Sequence, residues 1–348
     1  MKIVKYLSFI ALSIVTVDFH AYFSLFELFL IGYAFISLDL NKKIERLNIY
    51  IILILLLNII YLIGWCIFSQ QIRMDLIRDT YVCISIMLLF FSKLNSRDIV
   101  TAIIIASVGE IVSSFLVYHE ITKFIIVPLI FLILLIKDSF TFIVSSMIYS
   151  LVSLIINAKT GLLLAVNGVI NRFREMSINY KALLIAASLV FAVSYSDQIV
   201  AVTKKLNVTS GEASTKERYM LLTVGWANFE SNPVFGTGPN SYQEYLSKKA
   251  KNEDQKQRYH TLEPHNFFLE LLSERGIIGL VLWLFPFCVF WVHRKKMDRR
   301  FIYLLISFFI VLFLGLLDQY LRFVLVLVIS YGMQVLNQKE DHLRRLTE

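Results

Sequence analysis

The stretch "NIYIILILLLNIIYLIGWCIFS", residues 48–69, contains no charged side chain and is long enough to cross the hydrocarbon core of a membrane as one helix. Similar apolar runs recur along the chain, which has 348 residues, 57% of them hydrophobic, and a mean hydropathy of +0.67. Soluble globular domains have a smaller apolar share. The composition therefore predicts an all-α protein that crosses a membrane many times.

Length and apolar periodicity predict how many times the chain crosses. Residues 1–18 lack a small-residue cleavage pattern, so we expect a retained helix there and not a removed signal peptide. The predicted map has twelve helices, at 4–18, 20–40, 48–69, 80–92, 98–118, 123–136, 139–156, 161–176, 182–200, 276–293, 301–317 and 320–336.

The distribution of lysine and arginine predicts the orientation of these helices. On this map nineteen Lys and Arg lie on one side, which includes both termini, and five lie in the short loops of the other side. Positive charge marks the cytoplasmic side, so both termini are expected there. The net charge of +8 thus reflects membrane orientation, and nucleic acid is not an expected partner. The predicted divisions are helices 1–9 in residues 1–200, an outer loop at 201–275, and helices 10–12 with a cytoplasmic tail at 276–348.

The first half of the outer loop holds one predicted amphipathic helix, "STKERYMLLTVGWANFESNP" at residues 214–233. A capping box, Ser214 to Glu217, starts it, and Pro233 follows its end. Its apolar side carries Trp226, which favours a helix lying on the membrane surface. The segment "FGTGPNSY", residues 235–242, then predicts a turn at Gly236 and Gly238.

The loop ends in "EPHNFFLELLSERGIIG", residues 263–279. Pro264 suits the first position of a helix, which would put His265 and Asn266 in the first turn and Gly276 at the end. The positive end of the helix dipole disfavours an imidazolium, so a histidine there stays neutral and suits a general base. An interfacial histidine that only caps the helix is the alternative.

Two spacings in this loop carry a resemblance to a known family. His265-Asn266 is followed by nine residues and then Gly276-x-x-Gly279, and upstream lies Arg-x-x-x-Leu, formed by Arg218 and Leu222. Together they resemble the bacterial O-antigen ligase family, membrane glycosyltransferases that include lipid A-core ligases and the related O-antigen polymerases.

Two further segments extend the resemblance over roughly residues 157–335. "NPVFGTGPNSY" is similar to the family's Pro-x-x-Gly-x-Gly turn, and "NAKTGLLLAV" is similar to its Ser-Arg-x-Gly helix entrance. Lys159 stands where the family usually has arginine. It keeps the positive charge but loses the guanidinium fork that binds phosphate through two hydrogen bonds.

The resemblance implies a GT-C-like helical fold and an active site on the periplasmic side of the bacterial inner membrane. It implies that a glycan leaves undecaprenyl diphosphate and joins a sugar hydroxyl of lipid A-core, without a cofactor or a metal. By this resemblance His265 is the base and Asn266 orients the acceptor. For the diphosphate we expect Arg218, Lys159 and Arg322, because guanidinium and ammonium groups stabilise the departing charge.

Three other functions fit parts of the sequence. An O-antigen polymerase would use the same donor chemistry with a glycan acceptor. A transporter of lipid-linked sugars would place polar groups near the middle of the membrane, where the chain offers few, notably Glu27 and Glu110. An inactive assembly scaffold would leave the combination of Arg218, His265 and Asn266 unexplained.

Overall fold

The computed structural model describes nine long ranges of the chain and several isolated residues. The ranges are 16–18, 22–39, 41–42, 44–69, 74–118, 139–155, 213–238, 266–313 and 319–347, with short runs inside 128–133, 164–185 and 241–245. Only short runs of the predicted helices at 123–136, 161–176 and 182–200 are described, and most of the one at 4–18 lies outside the described residues.

The described part is helical apart from one small hairpin, which confirms the predicted helical fold. Strands β1 (Thr16–Asp18) and β2 (Tyr22–Ser24) pair in antiparallel fashion. The main helices are α1 (Leu25–Ile36), α2 (Arg46–Ser69), α3 (Met74–Phe91), α4 (Ser96–Tyr118), α5 (Ser139–Ile155), α6 (Ala213–Ser231), α7 (Phe267–Val292), α8 (Arg299–Phe313) and α9 (Gln319–Thr347).

These elements fall into two compact units. One contains the hairpin, α1 to α3, the start of α4, nearly all of α6, and α7 and α9. The other contains α4 from Ile104 onward, α5 and most of α8. In this second unit Asn167 Nδ2 donates to Ser307 Oγ at 3.0 Å. The site residues described below, apart from Lys159, belong to the first unit.

Helix α2 buries two asparagines among apolar side chains and exposes mainly apolar ones, whereas a helix in a soluble protein exposes polar side chains. Asn48 and Asn58 are fully buried, whereas Leu57 and Ile60 are 50% and 63% exposed. A face of this kind is stable against lipid and costly against water. Among the described residues, α2 and α7 are long and apolar enough to cross a membrane, and shorter apolar helices accompany them.

Polar side chains join α2, α3 and α9 at one end of the first unit. Lys42 donates from Nζ to Gln334 Oε1 at 2.9 Å, and Gln334 Nε2 donates to the carbonyl of Phe90 at 3.1 Å. Asn48 Nδ2 donates to the carbonyl of Met333 at 3.0 Å. Buried groups of this kind need partners inside the protein, so the contacts fix how the three helices pack.

Several predicted boundaries change in the structure. The hairpin occupies residues that the sequence assigned to helices 4–18 and 20–40, so α1 starts only at Leu25. Helix α3 starts at Met74 instead of residue 80, because Arg78 and Asp79 stay helical despite their charge. Helix α9 runs on to Thr347, through most of the predicted tail. The count of twelve spans stays a prediction.

Candidate active site

Helix α6 packs closely against the beginning of α7. A Cβ added at Gly225 would lie 2.8 Å from Leu269 Cδ2, so a larger residue there would have to displace the Leu269 side chain. Tyr242 fills the space beside them and donates from its hydroxyl to the carbonyl of Leu221 at 2.9 Å. Burial and, to a smaller extent, the charge of Glu270 raise the pKa of Tyr242, which keeps this hydroxyl protonated.

Asn266 is the N-cap of α7, which corrects the prediction that it lies in the first turn. Its backbone is extended, with φ −155° and ψ 105°, and its Oδ1 accepts from the N–H of Leu269 at 3.0 Å. The helix therefore starts at Phe267, and His265 directly precedes the cap. The side-chain oxygen of Asn266 is occupied by capping, and its Nδ2 is left to donate elsewhere.

An open pocket of about 410 Å³ lies between α6 and the cap of α7. Asn266 and Leu269 form one wall, and residues of α6 form the other, with Trp226 about half exposed at the pocket. Trp226 Nε1 donates to Glu230 Oε1 at 2.7 Å, which fixes the orientation of the indole ring. The pocket thus combines a flat aromatic surface with an amide donor.

The turn that follows α6 is inserted into a break in α7. Thr237 N–H donates to the carbonyl of Ser273 at 3.2 Å, and Gly238 N–H donates to the carbonyl of Glu274 at 2.8 Å. In an unbroken helix these two carbonyls would accept from the N–H groups of residues 277 and 278. Those N–H groups donate instead to the turn, at the carbonyls of residues 233 and 234, over 2.9 and 3.2 Å. Four bonds to the turn therefore replace two helical bonds.

Glycines make this insertion possible. Gly276 has φ 62° and ψ −165°, a conformation open essentially to glycine alone, and it interrupts α7. Gly236 and Gly238 also have positive φ, at 72° and 101°. A Cβ at Gly236 would overlap the backbone of Glu274 and Arg275, and one at Gly279 would overlap the side chain of Arg275.

Tyr61 of α2 holds the turn and the helix break together. Its hydroxyl lies 2.7 Å from the carbonyl oxygen of Phe235 and 2.9 Å from that of Arg275, and it accepts from Trp65 Nε1 at 2.9 Å. One hydroxyl hydrogen serves the two carbonyls in turn. An apolar pocket of about 480 Å³, lined by Trp65 and Phe235 among others, lies beside this contact.

Arg275, the residue before the break, is a buried cation that the sequence analysis did not select. It forms an ion pair with Asp79 of α3 and is only 6% exposed. Arg322, in the first turn of α9, lies within electrostatic range of Arg275. Its neighbour Asp318, a possible partner in the sequence, lies outside the described residues.

The other predicted site residues are described less fully. Arg218 lies in α6 one turn before Leu222, a residue that lines the open pocket, but the Arg218 side chain is outside the described part. Lys159 and His265 are also outside it. The structure therefore places Asn266 and Leu222 in one pocket and packs the turn glycine Gly236 against the break at Gly276. Arg322 lies within electrostatic range of Arg275.

Exposed apolar faces and two helices long enough to span a bilayer indicate a helical membrane protein. Residues 124–284 match the family described as O-antigen ligase. This match contains α5, α6, the inserted turn, the Asn266 cap and the break at Gly276, and it confirms the resemblance drawn from the sequence motifs. No curated protein matches the chain.

Proposed function

We propose that the protein is a membrane glycosyltransferase that moves a glycan from undecaprenyl diphosphate to a sugar hydroxyl of lipid A-core. The observation that carries the proposal is the Asn266 cap, which forms one wall of a pocket whose other wall is α6, the helix that contains Arg218. Both walls lie within the residues that match the O-antigen ligase family.

In this mechanism the acceptor hydroxyl oxygen attacks the anomeric carbon of the glycan. The bond from that carbon to the diphosphate oxygen breaks, and its electron pair leaves with the lipid diphosphate. The hydroxyl proton passes to the imidazole of His265, which the positive end of α7 keeps neutral beforehand. A single displacement of this kind inverts the anomeric carbon.

The two polar atoms of the Asn266 side chain are available for different contacts, which supports this arrangement. Its Oδ1 is fixed by the Leu269 N–H, so its Nδ2 has a defined direction and can donate to the acceptor. The ring of Trp226 offers a flat apolar surface in the same pocket, which suits the apolar face of a sugar ring. The pocket is then a binding site for the glycan chain next to the reacting hydroxyl.

Cations stabilise the leaving group. We assign Arg218, Lys159 and Arg322 to the diphosphate, because charge develops on its oxygens as the bond breaks. Arg275 contacts Tyr61 and lies within electrostatic range of Arg322 in the first turn of α9, whereas Lys42 contacts Gln334 further along α9. A periplasmic site with cytoplasmic termini is the orientation that the loop charges favour.

The test is glycan transfer in cells that lack a ligase and, separately, in cells that lack a polymerase. We expect the wild-type chain to restore a lipopolysaccharide ladder on lipid A-core in the first strain, and His265→Ala to reduce transfer about a hundredfold or more. His260→Ala, in the same outer segment, is the matched control and should transfer normally.

Rescue of the polymerase-deficient strain alone would mean that the acceptor is a growing glycan. A His265→Ala protein that is present in the membrane and transfers at the normal rate would exclude His265 as the base.

A further inference from the structure

The end of α7 places an aromatic ring beside the cations of the loop that follows. Trp291, in the last turn, is about half exposed, and the guanidinium carbon of Arg294 lies 5.4 Å from the centre of its ring. Arg294 Nη1 also donates to the carbonyl of Trp291 at 3.2 Å, so the guanidinium is held over the ring. Lys295, the next residue, is exposed. The loop thus presents an arginine in a defined position beside a second cation.

The beginning of α2 repeats this combination of an arginine and an aromatic ring. Arg46 is exposed, and Tyr50, one turn later on the same helix face, is about half exposed. An ion pair joins the two helix ends, because Lys296 Nζ lies 3.7 Å from Glu45 Oε1. The start of α2 and the loop after α7 therefore form one continuous surface.

This surface carries an excess of positive charge. Four cations and two carboxylates belong to it, namely Arg46, Arg294, Lys295 and Lys296 with Glu45 and Asp298. Both α2 and α7 are long and apolar enough to span a membrane. Tryptophan and tyrosine rings at the ends of such helices lie at the level of the lipid headgroups. The cations that directly adjoin the two rings are therefore at the depth of the lipid phosphates.

An anionic phospholipid is the ligand that matches both halves of this surface. Its phosphate accepts hydrogen bonds from guanidinium groups. Its acyl chains can lie along the exposed apolar face of α2, where Ile49 and Leu53 adjoin the ring of Tyr50. An acidic protein segment would pair with the cations but would leave this apolar face uncovered.

We propose that Arg46, Arg294 and Lys295, with the rings of Tyr50 and Trp291, form a binding site for the headgroup of an anionic membrane phospholipid. The site is separate from the candidate active site, since α7 rises about 22 Å between Gly276 and the loop. The lipid links α2 to α7 by contacting cations of both, so its binding stabilises the folded protein.

The alternative is that these cations only set the orientation of the helices when they enter the membrane. Orientation depends on how many positive charges a loop contains and not on how they are arranged. A headgroup site depends on the arrangement, because the Trp291 ring holds the Arg294 guanidinium in place. Trp291→Leu removes the ring and keeps every charge, so it separates the two interpretations.

The experiment measures binding of short-chain phosphatidylglycerol to the full-length protein in a neutral detergent, from the rise in melting temperature across a titration. We expect a saturable rise, and a much smaller one with phosphatidylcholine of the same chains. Arg294→Gln and Lys295→Gln should each raise Kd about fivefold, the effect of one cation close to an anionic lipid. Trp291→Leu should raise Kd about threefold. Arg97→Gln, an exposed arginine of α4, is the matched control and should bind as the wild type.

Equal Kd values for the wild type, Arg294→Gln and Trp291→Leu would overturn the proposal. Binding by Arg97→Gln as weak as that by Arg294→Gln would also overturn it, because the effect would then come from total charge alone. If Trp291→Leu does not fold, Arg294→Lys replaces it, since lysine keeps the charge and loses the flat group over the ring. Arg294→Lys should then bind more weakly than the wild type, and an unchanged Kd would count against the site.

Two further ligands separate a lipid from other anions. Glycerol 3-phosphate carries the same phosphate without acyl chains and should give no saturable rise at the concentrations used for phosphatidylglycerol. A rise equal to that with the lipid would assign the site to free phosphate and reject the proposal. A rise with polyglutamate and none with phosphatidylglycerol would indicate an acidic protein partner and reject it as well.

Discussion

Replacement of Gly276 by alanine should detach the inserted turn from α7. At φ 62° and ψ −165°, a residue with a Cβ is strained by about 1–3 kcal/mol. The added Cβ would also overlap the carbonyl of Val234, so the turn has to move. Loss of two of the four hydrogen bonds between turn and helix adds about 1–3 kcal/mol. Because the turn relaxes part of the strain as it moves, we expect a total loss of about 2–4 kcal/mol.

The assay is thermal unfolding of the protein in detergent, together with glycan transfer in cells. Gly32→Ala is the matched control, because a Cβ at this helical glycine would meet nothing within 4 Å. It should leave stability unchanged or raise it by up to about 1 kcal/mol. Gly276→Asn sharpens the test, since asparagine tolerates the left-handed helical region but not the conformation of Gly276. Wild-type stability in Gly276→Asn would refute this reasoning.

Four other substitutions test separate parts of the structure. Tyr61→Phe loses the bonds to the turn and the break and should cost about 1–2 kcal/mol in the same unfolding assay. Burial lowers the pKa of Lys42 to about 8, against the smaller opposing effect of Asp39. The free energy of unfolding of the wild type, relative to that of Lys42→Met, should therefore rise with pH from about pH 8 up to the pKa that Lys42 has in the unfolded chain. Curves of unfolding free energy against pH that run parallel for the two proteins would contradict this. Trp226→Ala should raise KM for the glycan about three- to tenfold with a smaller change in kcat, and an unchanged KM would remove the stacking role. Asn266→Asp keeps the cap and should unfold like the wild type but transfer slowly, and normal transfer would show that Nδ2 is dispensable.

Much of the helical fold could be predicted because membrane helices are locally encoded. The predicted spans 48–69, 98–118 and 139–156 differ by one or two residues from α2, α4 and α5 as the structure has them. Apolar length alone carries that information. Apolar length says nothing about the hairpin at residues 16–24, where two short strands pair within segments whose pattern predicted helices.

The ion pair of Arg275 could not be predicted because the contacts of this residue join distant parts of the chain. Arg275 meets Asp79 on α3, and its carbonyl meets Tyr61, which is 214 residues away in the sequence. On the predicted map Arg275 is the last residue of the outer loop at 201–275. A signal was present nonetheless, since Arg275 directly precedes the glycine of a family motif, at a point where a membrane helix begins.

The motif glycines matter through their spacing as much as through their flexibility. The turn uses carbonyls before Gly236 and N–H groups after it to bond α7, because the backbone changes direction at this glycine. The carbonyls are those of residues 233 and 234, and the N–H groups are those of residues 237 and 238. In α7, the matching carbonyls and N–H groups lie on either side of Gly276. The two segments exchange hydrogen bonds only if both reversals are in register, so the turn glycines and the α7 glycine act as one unit. Because α6 leads directly into the turn, this register also fixes α6 against the Asn266 cap, and the pocket between them depends on residues that do not line it.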